Sequence, residues 1–127
     1  MYTINFSTVL VVEDDVIAQM TLNDMLTEMG FSEVNITSSK KEALSIIDNK
    51  SIDVVLLDVF IDGSRQGIEI AKRINKKSNV PILFLTGSSD EETVQGISQT
   101  VNRGVLEKPY DFDIIQEKLQ STLGQHN

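Results

Sequence analysis

At 127 residues, with 40% hydrophobic and 24% charged side chains, the chain has the size and composition of one folded domain. Its formal net charge of -8 argues against a nucleic-acid-binding face, which needs a basic stripe, and the absence of cysteine excludes disulfides, thiolate metal sites and thiol nucleophiles. Neither Met1 to Ser7 nor any later run is apolar enough for a signal peptide or a membrane span, so the expectation is a soluble, cytoplasmic domain over 1–127 with flexible ends at 1–7 and 124–127.

In chain order, the first predicted element is a strand at Thr8 to Val12, apolar from Val9 onward. Ala18, Leu22, Met25, Leu26 and Met29 then share one helical stripe, with Gly30 where a left-handed C-terminal residue is wanted. Val34 to Thr37 reads as a second strand. Ser39-Lys40-Lys41-Glu42 has capping-box spacing and opens a second helix that runs to about Asp48-Asn49. Val54 to Leu57 is a third strand, and Ile70, Ala71 and Ile74 mark the helix after it. Ile82 to Leu85 is a fourth strand. Ser89-Asp90-Glu91-Glu92 repeats the capping pattern before a stripe of Val94, Ile97 and Val101, where Gly96 costs about 1 kcal/mol of helix propensity relative to alanine. Val105 to Leu106 is a short fifth strand, followed by a helix carrying Ile114, Ile115, Lys118, Leu119 and Leu123. The runs at 9–12, 54–57 and 82–85 are apolar at every position, as central strands covered on both faces require.

Five alternations of strand and helix imply right-handed crossovers and an open parallel α/β sheet with helices on both faces. Ligand chemistry in such a sheet gathers beyond the carboxyl ends of the strands. The residues found there are Glu13, Asp14 and Asp15, then Asp58, Thr86 and Lys108. Carboxylates converging from two strand ends suit a hard cation, Mg2+ or Mn2+. Asp58 could accept a phosphoryl group if a metal and Lys108 neutralised the transferring oxygens, and Thr86 could hydrogen-bond an installed phosphoryl oxygen. Taken singly, each residue also has a plain structural role. Asp15 fits a helix N-cap, Glu13 and Asp14 a solvated turn, Thr86 a local backbone partner and Lys108 a surface lysine. The combination is much harder to reach by accident.

The segments Val9-Leu10-Val11-Val12-Glu13-Asp14-Asp15, Val55-Leu56-Leu57-Asp58, Leu85-Thr86-Gly87 and Lys108-Pro109-Tyr110 together resemble the receiver domains of two-component response regulators, in that family's order and over nearly the whole chain. The resemblance implies a flavodoxin-like (βα)5 fold with strand order 2-1-3-4-5. It also implies Asp58 as phosphoacceptor, Asp14 as direct Mg2+ ligand, Glu13 as a ligand largely through water and the Phe60 backbone carbonyl in the metal shell. Thr86 and Lys108 would contact phosphoryl oxygens, and the Lys108-Pro109 peptide would be cis. The implied donor is a phosphohistidine on a sensor histidine kinase or a histidine phosphotransfer domain. Dimerisation on activation is a further family trait.

Two departures stand out. The stretch from Asp58 to Glu69 lacks the family's usual proline and runs through Gly63, Ser64 and Gly67, which predicts a longer, more mobile loop. Val105 stands three residues before the lysine, where most receivers carry an aromatic switch residue, so activation is expected to run through Thr86, the Gly87-Ser88 loop and the helix containing Gly96. Small Gly87 would leave the acceptor open to a donor, and bulky Phe60 would slow hydrolysis of the acyl phosphate.

A flavodoxin-like cofactor binder would need a Ser, Thr and Gly-rich phosphate loop where this chain is acidic. A haloacid-dehalogenase-type phosphatase would need a second aspartate where Phe60 stands, so turnover of a separate substrate is not expected and the domain is read as a signalling module, not an enzyme. The alternative kept is a pseudo-receiver, an interaction module that is never phosphorylated. His126 reads as a tail residue.

Overall fold

The computed structural model describes residues 4, 5 and 7–125, and His126 lies outside them. Five strands alternate with five helices: β1 (Thr8–Val12), α1 (Val16–Met29), β2 (Glu33–Thr37), α2 (Lys40–Asn49), β3 (Val54–Asp58), α3 (Gln66–Lys77), β4 (Ile82–Thr86), α4 (Glu91–Ser98), β5 (Val105–Glu107) and α5 (Phe112–Gln125). All pairings are parallel, in the order β2-β1-β3-β4-β5. The three uniformly apolar runs are the three inner strands, as their lack of alternation requires.

Alternation survives as a choice between two cores. Val9 and Val11 of β1, Val54 and Leu56 of β3, and Leu83 and Leu85 of β4 pack on Leu22 and Leu26 of α1 and Ile115 and Leu119 of α5. Leu10, Val12, Val55, Leu57, Ile82 and Phe84 face the other way, toward Ala43, Ile70, Ile74 and Ile97. Successive Cβ atoms on a strand point to opposite faces, so one run supplies both cores of a three-layer domain. Ile4 joins the first core, and α5 continues through Gly124 to Gln125, both within stretches expected to be loose.

The local signals mostly hold. Asp15 caps α1, accepting from the Ile17 N–H, and Gly30 ends it at φ 109°. Ser39 caps α2 through the Glu42 N–H. In α4 the cap is Asp90, which accepts from the Thr93 N–H, and the helix stops at Ser98. The expected Val94, Ile97, Val101 stripe is therefore corrected: the buried face is Thr93 and Ile97, while Val94 and Val101 are exposed. Eight residues are too few to carry a stripe to 101. Ile114 of α5 is likewise exposed.

Candidate functional site

β1 delivers Glu13 and Asp14, β3 ends on Asp58, β4 ends on Thr86 and the turn after β5 carries Lys108, all at one end of the sheet. Glu13 is 1% exposed and Asp58 4%, whereas Asp14 is open to solvent. Their carboxylates each offer an oxygen within 4.8 Å of the others. Among the described residues no imidazole or thiol joins them, so the donor set fits a hard divalent ion such as Mg2+ or Mn2+. An open cleft of about 740 Å³ beside Asp14, rimmed by Lys40 and Lys41, gives solvent a route to the site.

Lys108 ties the set together. Its Nζ lies 2.9 Å from Asp58 Oδ2 and 3.4 Å from Glu13 Oε1. Burial alone would lower its affinity for a proton, but the Asp58 hydrogen bond and the surrounding negative charge outweigh that and hold Lys108 above its ordinary range. The opposite happens at Glu13. Burial, then the shared hydrogen bond and like charge of Asp58, push its carboxyl from 4.5 up to about 7, against the pull of the Asp15 N–H and Lys108.

Backbone and second partners fix the remaining atoms. The Phe60 N–H donates to Asp58 Oδ1 at 3.1 Å, and the Asp62 N–H donates to Asp14 Oδ2 at 2.8 Å. The Gln19 amide donates to the Glu13 carbonyl at 2.6 Å. Thr86 is 4% exposed, but its hydroxyl is engaged locally, donating to the Ser88 carbonyl and accepting from the Ser88 N–H, each at 3.0 Å. Gly87 lies against the Lys108 side chain. The Lys108-Pro109 peptide is cis, as expected.

The stretch after Asp58, expected as a longer, more mobile loop, runs seven residues to α3 and is held by its own hydrogen bonds. Ile61 is buried and bonds back to Ser64, Asp62 and Gly63 turn the chain at φ 52° and 76°, and α3 begins at Gln66. Gly67 is inside that helix, buried, with its N–H on the Val59 carbonyl, and a Cβ there would overlap the Asp58 carbonyl oxygen. It is a close-approach glycine rather than a flexible one.

Three contributors escaped the sequence reading. The Tyr110 hydroxyl donates to Glu13 Oε1 at 3.4 Å, and its ring lies 5.9 Å from Lys108 Nζ. Its place in the Lys-Pro-Tyr segment was the available signal. Asp62 orients Asp14 through a backbone amide, which no side-chain pattern encodes. Arg65 reaches from the start of α3 to Asp90, Glu92 and Thr93, and its guanidinium carbon stands 5.2 Å from the Phe60 ring centre.

Residues 9–120 match the family model "Response regulator receiver domain". The chain is 46% identical over 81 residues to the uncharacterized transcriptional regulatory protein YrkP of Bacillus subtilis, covering 64% of this chain and 34% of that protein. Its fold matches the signal receiver domain of a modulated diguanylate cyclase from Desulfovibrio desulfuricans G20 at TM-score 0.87 and 29% identity, over 96% of this chain and 97% of that one. It also matches the receiver domain of the sensor histidine kinase PA1611 from Pseudomonas aeruginosa, solved with a magnesium ion coordinated in its active site cleft, at TM-score 0.84 and 24% identity, over 93% and 98% of the two chains. This chain spans between about a quarter and a half of the length of the curated relatives it matches.

Proposed function

This chain belongs to the response regulator receiver domain family, and we propose that it takes a phosphoryl group onto Asp58 from a phosphohistidine donor, on a sensor histidine kinase or a histidine phosphotransfer domain, with Mg2+ at Glu13, Asp14 and Asp58. The observation that carries this reading is the placement of Asp58: a buried carboxylate at a strand end, 2.9 Å from the Lys108 ammonium and grouped with two further carboxylates.

In this reading an Asp58 carboxylate oxygen attacks phosphorus, the bond from phosphorus to the donor nitrogen breaks and the donor imidazole leaves with that electron pair. Bound Mg2+ would supply positive charge against the phosphoryl oxygens. Glu13 and Asp14 would hold it, with the Phe60 backbone carbonyl as a further ligand. Lys108, already on Asp58, provides the second positive charge without rearrangement of its backbone. Thr86 must give up its bond to the Ser88 carbonyl to donate to a phosphoryl oxygen, and that exchange starts the movement of the loop after β4. The gathering of these residues at one end of the sheet, with Asp14 opening onto a solvent cleft, supports a domain that is modified by a partner. With a net charge of -8, any DNA contact made by a longer regulator would fall to another segment.

The test is intact mass after incubation with Mg2+ and a small-molecule phosphodonor. A Mg2+-dependent gain of one phosphoryl group, absent from Asp58→Asn, is the expected result. No adduct on the native chain under these conditions would remove the acceptor reading and leave a pseudo-receiver.

A further inference from the structure

Arg65 links two segments that phosphorylation would disturb. On its face it carries Phe60, whose guanidinium-to-ring distance is 5.2 Å and whose N–H is bonded to Asp58 Oδ1. On its edge it holds the first turn of α4: Nη2 is 2.8 Å from Asp90 Oδ2, Nη1 is 2.6 Å from Glu92 Oε2, and Nε donates to the Thr93 hydroxyl at 2.9 Å. Thr93 is fully buried, so the Nε arm is anchored in packed structure, while the Asp90 and Glu92 carboxylates are exposed. A planar fork can satisfy three acceptors and stack on a ring at once, which a lysine cannot do.

Asp90 is the junction. Its Oδ1 accepts from the Ser88 hydroxyl at 3.1 Å and from the Thr93 N–H at 3.3 Å, while Oδ2 is held by Arg65. Ser88 in turn exchanges both backbone groups with the Thr86 hydroxyl. Two routes therefore meet at the α4 N-cap, one from Thr86 through Ser88, the other from Asp58 through Phe60 and Arg65. Behind them α3 and α4 are in close contact, since a Cβ on Gly96 would stand 2.5 Å from Ile68 Cδ1. No aromatic on β5 is available to carry the signal, because that position is Val105, 40% exposed.

We propose that Arg65 is a positioning residue that couples the acceptor loop to α4, so that phosphorylation of Asp58 moves the first turn of α4 through the guanidinium as well as through Thr86. The inference rests on Asp58 being the phosphoacceptor. Addition of the phosphoryl group changes the charge and packing around the Phe60 amide and ring, and the shared guanidinium passes that displacement to the α4 N-cap and two residues of the helix at once.

The test compares backbone amide shifts on adding Mg2+ and beryllofluoride, a mimic of the phosphoryl group, to the native chain, Arg65→Gln and Arg65→Lys. Shifts at Thr86 and Lys108 report the acceptor site, and shifts over Glu91 to Ser98 report α4. Both variants are expected to keep the first set, while the second falls to roughly half or less, with lysine failing to rescue because it keeps the charge and loses the fork. Arg65→Lys serves alone if the glutamine variant does not fold. Full-size α4 shifts in the variants, or a native α4 that never responds while Thr86 and Lys108 do, would overturn the coupling role and leave the acceptor reading standing. Loss of the Thr86 and Lys108 shifts in a folded variant would also overturn it, by placing Arg65 in the service of the site itself. Silence at every position in the native chain would take down both.

Discussion

Glu13 is the residue whose chemistry is most at odds with its surroundings. It is buried against Asp58, and its carboxyl is pushed from 4.5 up to about 7 by burial first and by Asp58 second. Between those two values the folded chain binds more protons at this position than the unfolded chain does. Its contribution is therefore fully present below about pH 4.5 and is lost as pH rises through about 7. The loss should be on the order of 3 kcal/mol. Urea unfolding across this range, without divalent ions, is expected to show the native chain declining relative to Glu13→Gln, whose amide cannot ionise. Parallel profiles for the two chains would mean that Glu13 does not titrate in this window.

At the scale of elements, the two close-packed helix glycines, Gly67 and Gly96, make opposite predictions because different atoms oppose them. A Cβ on Gly67 meets the backbone of Asp58 and Val59, which cannot move without shifting the end of β3. Gly67→Ala should cost about 3 kcal/mol or more. A Cβ on Gly96 meets only the tip of Ile68, which can rotate, and alanine restores about 1 kcal/mol of helix propensity. Gly96→Ala should therefore stay within about 1 kcal/mol of the native chain. Thermal or urea denaturation of both variants checks the pair, and equal costs would contradict the difference between backbone and side-chain opposition. The same contrast explains what could be read in advance. The inner strands and the residues at their carboxyl ends were legible because a parallel sheet forces uniform apolarity along the strand and collects strand ends on one side. Gly67, Gly96 and Arg65 were not, since each acts on a neighbour brought close only by folding. The Val94 to Val101 stripe misled for the same reason: periodicity locates an apolar face, but Asp90 and the stop at Ser98 decide which residues the helix presents.

For the whole molecule, a net charge of -8 means that any added salt relieves some self-repulsion, so stabilisation by magnesium salts is not by itself a sign of a site. The acidic group at Glu13, Asp14 and Asp58 separates the two effects, because site binding saturates and screening does not discriminate among ions at equal ionic strength. A ligand at a hundred times its dissociation constant stabilises the folded chain by about 2.7 kcal/mol, well beyond what exposed charge pairs contribute. Magnesium chloride is therefore expected to raise the melting temperature above a sodium chloride control of matched ionic strength. Asp14→Asn should lose most of that excess while keeping the fold, since Asp14 is exposed and a neutral amide can still accept from the Asp62 N–H. The excess should also grow as pH rises through about 7, because Glu13 must release its proton before it can hold a cation. If sodium reproduced the magnesium effect in the native chain, the stabilisation would be screening of the -8 charge, and the acidic pocket would not be a metal site.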